Sequence, residues 1–86
     1  MSLIVVYKQQ SDHGGIVRDY MYDFEKKNAQ RLNEVDPDTI QGSHICKLYD
    51  IVEYPTIIAT TNDGQLRASW KGIPLPTLDE VSSYVQ

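Results

Sequence analysis

The segment Leu48-Tyr49-Asp50-Ile51-Val52-Glu53-Tyr54-Pro55-Thr56-Ile57-Ile58-Ala59 constrains this chain more than any other. It reads as the end of a helix, a short loop, and a proline opening a β-branched strand. Proline has no N–H to give to a sheet, so one at the mouth of an apolar run marks a strand start or a rigid turn.

The rest of the chain arranges itself around that strand. Leu3-Ile4-Val5-Val6-Tyr7 is a short β-branched run, expected as a buried central strand. The polar cluster Gln9 to Asp12, with His13-Gly14-Gly15, breaks regularity. From Ile16 the apolar residues Ile16, Val17, Tyr20, Met21, Phe24 and Leu32 fall at helical spacing, with Asp23 and Lys27 as an i,i+4 pair. Ser11 or Asp12 is the expected N-cap of that helix. Arg31 to Val35 reads as a second strand. Asp36-Pro37-Asp38-Thr39 opens a second helix running to about Tyr49, which should bury some of Ile40, Ile45, Leu48 and Tyr49; Gly42 is expected to weaken it.

Strand three runs from Thr56 to Thr61, and Asn62-Asp63-Gly64 is a hairpin signal. In strand four, Gln65 to Trp70, Leu66, Ala68 and Trp70 alternate with Gln65, Arg67 and Ser69. Thr77-Leu78-Asp79-Glu80 has capping-box spacing, and Leu78, Val81 and Val85 form the stripe of a last helix. The order is β-α-β-α-β-β-α. A right-handed crossover makes strands one and two parallel, and the hairpin adds strands three and four. The expected architecture is an α/β domain: a four-stranded mixed sheet, order 2-1-3-4, with helices on both faces.

A chain of 86 residues suits one domain with one core. The net charge is −4, and residues 34–86 hold three Lys/Arg against eight Asp/Glu. An acidic surface repels phosphate backbones, and no basic cluster exceeds Lys26-Lys27, so nucleic acid is not an expected partner. No apolar run nears the roughly 20 residues of a membrane span, and Leu3 to Val6 is too short for a signal peptide. A soluble, cytoplasmic protein is the expectation. A single cysteine excludes an internal disulfide.

The element order and the run from Tyr49 to Thr56 resemble the thioredoxin-like proteins in their small, glutaredoxin-sized form. In that family a Tyr-Gly-(Ile/Val)-x-x-(Ile/Val)-Pro-Thr segment leads through a cis-proline into a core strand. The Asn62-Asp63-Gly64 hairpin, Lys71-Gly72 after strand four, and Leu32 to Asp36 fit the same pattern. The resemblance implies a Cys-x-x-Cys between strand one and the first helix, where the helix dipole lowers the thiol pKa. Here the loop is Ser11-Asp12-His13-Gly14-Gly15. With no sulfur there, dithiol–disulfide exchange by the usual route is chemically impossible.

The resemblance also implies a cis peptide before Pro55, with the backbone of Tyr54 presented to an extended peptide beside the strand-one loop. Against this stands the plainer role of a proline that only shapes the fold. Ser11, Asp12 and His13 suggest a nucleophile and base, but a capping loop accounts for them as well. Cys46 lies within the second helix, where it is either a packing residue or a single reactive thiol. His13, His44, Cys46 and the acids lack metal-ligand spacing, so neither metal nor cofactor is expected. An exposed cluster of Tyr22 or Tyr54 with Trp70 would mark a partner surface, and Ile73-Pro74-Leu75-Pro76 is a second contact candidate, although it is expected rather to pack across the end of the sheet.

The functional expectation is a non-catalytic protein- or peptide-binding module. Its binding surface comprises Ser11, Asp12, His13 and Gly14 facing Tyr54 and Pro55. The alternative is a single-thiol redox-sensing or glutathione-linked protein using Cys46. The chain is expected as a monomer, or a weak homodimer joined at the edge of strand two or strand four.

Overall fold

Four strands and three helices make up the computed structural model, which describes residues 2–85. They are β1 (Ser2–Val6), α1 (Gly14–Asn28), β2 (Asn33–Val35), α2 (Ile40–Tyr49), β3 (Thr56–Thr60), β4 (Leu66–Lys71) and α3 (Leu78–Ser82). The sheet order is β2-β1-β3-β4. β1 runs parallel to β2 and antiparallel to β3, and β3 is antiparallel to β4. This is the α/β architecture read from the sequence.

Every residue of β3 is buried, because it lies between two strands with helices on both faces. On one face Val17 and Phe24 of α1 and Val81 of α3 close over Leu3, Val5, Ile57 and Ala59. On the other, Ile45, Cys46 and Tyr49 of α2 lie against Val6, Ile51 and Ile58. Lys27 reaches across to Asp79, so α1 and α3 are tied by charge as well as packing. That contact takes Lys27 away from the expected pairing with Asp23.

Several local expectations need correction. α1 begins at Gly14 with His13 in the cap position, and no side chain caps it. Ser11 instead donates its hydroxyl to the Lys8 carbonyl, and its own carbonyl accepts from the Gly14 N–H. β2 starts at Asn33 rather than Arg31, although Leu32 is buried. Ile16 is half exposed, because α1 turns Val17 and Phe24 toward the sheet and Ile16 lies about 100° around the helix from Val17. Leu66 is exposed, since a register shift between Ala59 and Thr60 breaks the alternation of β4 at that end.

α2 buries some of its four apolar candidates, as expected. Ile40 and Leu48 are 87% and 72% exposed, so only Ile45 and Tyr49 of the four candidates pack inward. Gly42, expected merely to weaken this helix, is buried and required. A Cβ there would stand 1.8 Å from the Asp36 carbonyl oxygen.

Candidate functional site

Strand direction gathers the loops before any side chain is considered. β1 and β2 are parallel, so the loops that leave them share one end of the sheet. β3 is antiparallel to β1, with Val6 opposite Thr56, so the segment that enters β3 lies at that same end. Residues 8–14, 36–38 and 53–55 therefore converge, at the carboxyl ends of the parallel strands where α/β folds place their ligands.

The strand-one loop is held by its own short-range bonds. The Lys8 N–H donates to Nε2 of His13 at 3.2 Å, and the Ser11 N–H donates to the Lys8 carbonyl at 3.2 Å. His13 thus accepts through a bare ring nitrogen, which protonation would remove. A Cβ on Gly14 would lie 2.5 Å from the Gln9 carbonyl oxygen, so the chain doubles back too closely there for any other residue. Gly15 has no such neighbour. Asp12 is exposed.

The peptide bond between Tyr54 and Pro55 is cis, as is that between Ile73 and Pro74. Pro55 is buried and Tyr54 half-buried. Among the described residues, the backbone N–H and C=O of Tyr54 take no hydrogen bond, while its neighbours on both sides do. Glu53 accepts from the Thr56 hydroxyl, and Pro55 accepts from the Gly72 N–H at 2.7 Å.

No hydrogen bond, ion pair or ring contact among the described residues joins Ser11–Gly14 directly to Tyr54 or Pro55. Lys8 connects them. Its ammonium lies 5.7 Å from the Tyr54 ring centre and 3.9 Å from the Asp38 carboxylate, while its backbone holds His13 and Ser11. A cation over an aromatic face is attractive by about 0.5–1 kcal/mol at an exposed site. Neither Lys8 nor Asp38 stood among the sequence candidates. The available signal was topological: each follows a parallel strand, and such positions meet.

Cys46 belongs to the same neighbourhood. Its Sγ is 4.0 Å from the Tyr54 hydroxyl, and the thiol is half-buried under α2. Burial, then the Cys46 side chain, pushes the Tyr54 hydroxyl above its ordinary pKa. On the other side of the loop, Tyr7 is fully buried and donates its hydroxyl to Glu34. Burial and that carboxylate raise the Tyr7 pKa to about 12.

Among the described residues no ring contact joins Tyr22 or Tyr54 to Trp70. Trp70 packs edge-on against Tyr84 at 5.5 Å, and Tyr22 stands exposed with Lys26 above its ring. Leu75 packs on the core while Ile73 is exposed. Outside the loop cluster, Ile40, Gln41, His44, Ile45, Lys47 and Leu48 line a shallow concavity of about 840 Å³ on α2. Among the described residues no group of three or more His, Cys, Asp or Glu is placed to hold a metal ion. None of the helices described is long and apolar enough to cross a membrane.

No protein-family model matches the chain, and no curated protein matches it in sequence. Its backbone does have solved counterparts. A structure described as that of a malarial protein is similar at a TM-score of 0.65 and 14% identity, covering 99% of this chain and 94% of that one. At that identity the likeness shows a shared fold alone.

Proposed function

We propose that this chain is a thioredoxin-like domain without the redox dithiol, and that it binds an extended peptide segment of a partner protein in the cytoplasm. The carrying observation is the unpaired backbone of Tyr54 beside the cis-proline. One N–H and one C=O at the same residue are what a β-type main-chain pairing uses. Lys8, Ser11 and His13 form the opposite wall, and the Tyr54 ring supplies an amphipathic contact. Dithiol exchange has no part in this binding, since a chain with one cysteine cannot cycle a dithiol.

The test is selection from a displayed peptide library, followed by amide-shift mapping of a selected peptide on the labelled protein. Perturbation centred on Tyr54, Lys8 and the amides of Ser11 to Gly14, weakened by Tyr54→Ala and His13→Ala, supports the reading. A selected peptide that maps elsewhere overturns it.

The proximity of Cys46 to the Tyr54 hydroxyl favours one second reading, in which the Cys46 thiolate attacks a small-molecule or protein disulfide, forming a mixed disulfide and releasing the other sulfur as a thiol. Alkylation separates the two. A Cys46 that reacts in the folded protein as fast as in the unfolded one favours the thiol reading, and one that reacts only on unfolding removes it.

A further inference from the structure

β4 ends the sheet, so one of its sides has no strand beside it. Which backbone groups face that side follows from a single bond. The Gly72 N–H donates to the Pro55 carbonyl, the residue opposite it when the Thr56–Lys71 register is continued by one step. In an antiparallel ladder, hydrogen-bonded and non-bonded pairs alternate. The pairs Trp70–Ile57 and Ala68–Ala59 are therefore bonded to β3, and the N–H and C=O groups of Ser69 and Lys71 point away from the sheet.

The side chains along this edge are basic. Arg67, Ser69 and Lys71 are exposed and alternate with half-buried Ala68 and Trp70. Arg67 and Lys71 are two of only three cations in residues 34–86 of a chain with net charge −4. Among the described residues neither has a hydrogen bond or an ion pair. Glu53, a carboxylate near this end, lies against Gly72 and forms no ion pair with Lys71.

We infer that the β4 edge takes an extended segment of another protein with acidic residues at alternate positions. Ser69 and Lys71 supply main-chain pairing, and Arg67 and Lys71 read the charge. Opposite charges on facing strands attract and like charges repel. A second copy of β4 is thereby disfavoured, because a two-fold centred on Ser69 sets Arg67 against Lys71 twice. Charged edge strands resist self-pairing for this reason. The same two cations favour a strand of opposite sign. This edge lies on the far side of β3 from β1, and only its Lys71 end adjoins the Tyr54–Pro55 segment of the loop cluster.

The probe is a dye-labelled peptide, Thr-Glu-Val-Glu-Thr-Glu-Val, compared with the same peptide carrying lysine for glutamate. The readouts are fluorescence anisotropy and amide hydrogen exchange. The glutamate peptide should bind and the lysine peptide should not. Bound peptide should protect the amides of Ser69 and Lys71, whereas those of Ala68 and Trp70 are protected without it. Arg67→Glu with Lys71→Glu should weaken binding about tenfold or more, equivalent to about 1.4 kcal/mol. Both side chains are exposed, so the fold should persist. N-methylation of the peptide at alternate residues should abolish binding. Absence of binding, equal binding of the two peptides, protection at Tyr54 instead, or survival of N-methylation would each overturn the inference. So would an apparent mass by light scattering that rises above one chain as protein concentration increases and returns to one chain in the Arg67→Glu, Lys71→Glu variant, which indicates a second copy on the edge, such as head-to-tail pairing with the Glu34 edge of β2.

Discussion

Replacing Gly42 with alanine should destabilise this protein, although helix propensity alone predicts the reverse. In an ordinary helix interior, Gly→Ala stabilises by about 1 kcal/mol. Here the new methyl carbon would stand 1.8 Å from the Asp36 carbonyl oxygen, 2.6 Å from its carbon and 3.0 Å from the Pro37 Cα. Carbon tolerates a carbonyl oxygen at about 3.3 Å, so the segment must retreat by about 1.5 Å. It is not free to do so. The Asp36 carbonyl accepts from both the N–H and the hydroxyl of Thr39, at 3.1 and 2.8 Å. The Thr39 hydroxyl also caps α2 by accepting from the Gly42 N–H at 2.9 Å.

Losing the two bonds to Asp36 costs about 1 kcal/mol each, and residual overpacking adds about 1–3 kcal/mol. After the propensity gain, a net loss of about 2–4 kcal/mol remains, a large part of the roughly 5–15 kcal/mol that holds a domain folded. Urea denaturation followed by Trp70, the single tryptophan, measures it as a lower midpoint at unchanged slope. Gly15→Ala is the control: nothing lies within 4 Å of its added carbon, and the variant should be neutral or gain up to about 1 kcal/mol. A Gly42→Ala protein as stable as the parent would refute the reasoning and place the Asp36–Pro37 turn away from α2.

Three further outcomes are expected. Phe24, fully buried between α1 and the sheet, should cost about 3–5 kcal/mol on Phe24→Ala, read by the same urea titration. Thr77→Ala removes a complete capping box and should cost about 1 kcal/mol, with faster amide exchange confined to α3. Tyr7 and Tyr20 both have pKa values raised from 10.0 to about 12, Tyr7 by burial and Glu34, Tyr20 by burial and Glu80. The unfolded chain therefore releases these protons first as the pH rises, so their contribution is complete below about pH 10 and is lost as the pH passes through about 12. Tyr20 has a buried hydroxyl without a partner, so Tyr20→Phe should be neutral or stabilising in urea while removing its share of that alkaline loss.

Much of the backbone was legible in the order of residues because the signals were local. The run Leu3 to Val6, the proline before Thr56, the Asn62-Asp63-Gly64 hairpin and the Thr77–Glu80 capping box each draw on a few neighbouring residues. The sheet order followed from strand adjacency and crossover handedness. Where the sequence misled, a long-range competitor decided. Ser11 turned from capping α1 to closing its own turn on Lys8. Lys27 left Asp23 for Asp79. Ile40 and Leu48 have core chemistry, but α2 meets the sheet through Ile45, Cys46 and Tyr49. Periodicity shows that a helix has an apolar stripe, not how wide a band its neighbours cover.

Of the candidate site, the sequence by itself determined what is chemically absent and which loops matter. A chain with one cysteine cannot form a dithiol, and a proline before an apolar strand must sit at its mouth. Tertiary structure alone decided that Lys8 and Asp38 join those loops, that Cys46 stands beside Tyr54, and that Ser69 and Lys71 turn their backbone outward. The physical reason is distance along the chain. Caps, turns and strand starts are contests within a few residues. Charge pairing, thiol surroundings and edge polarity depend on strand direction and register, which appear only when segments tens of residues apart are packed together.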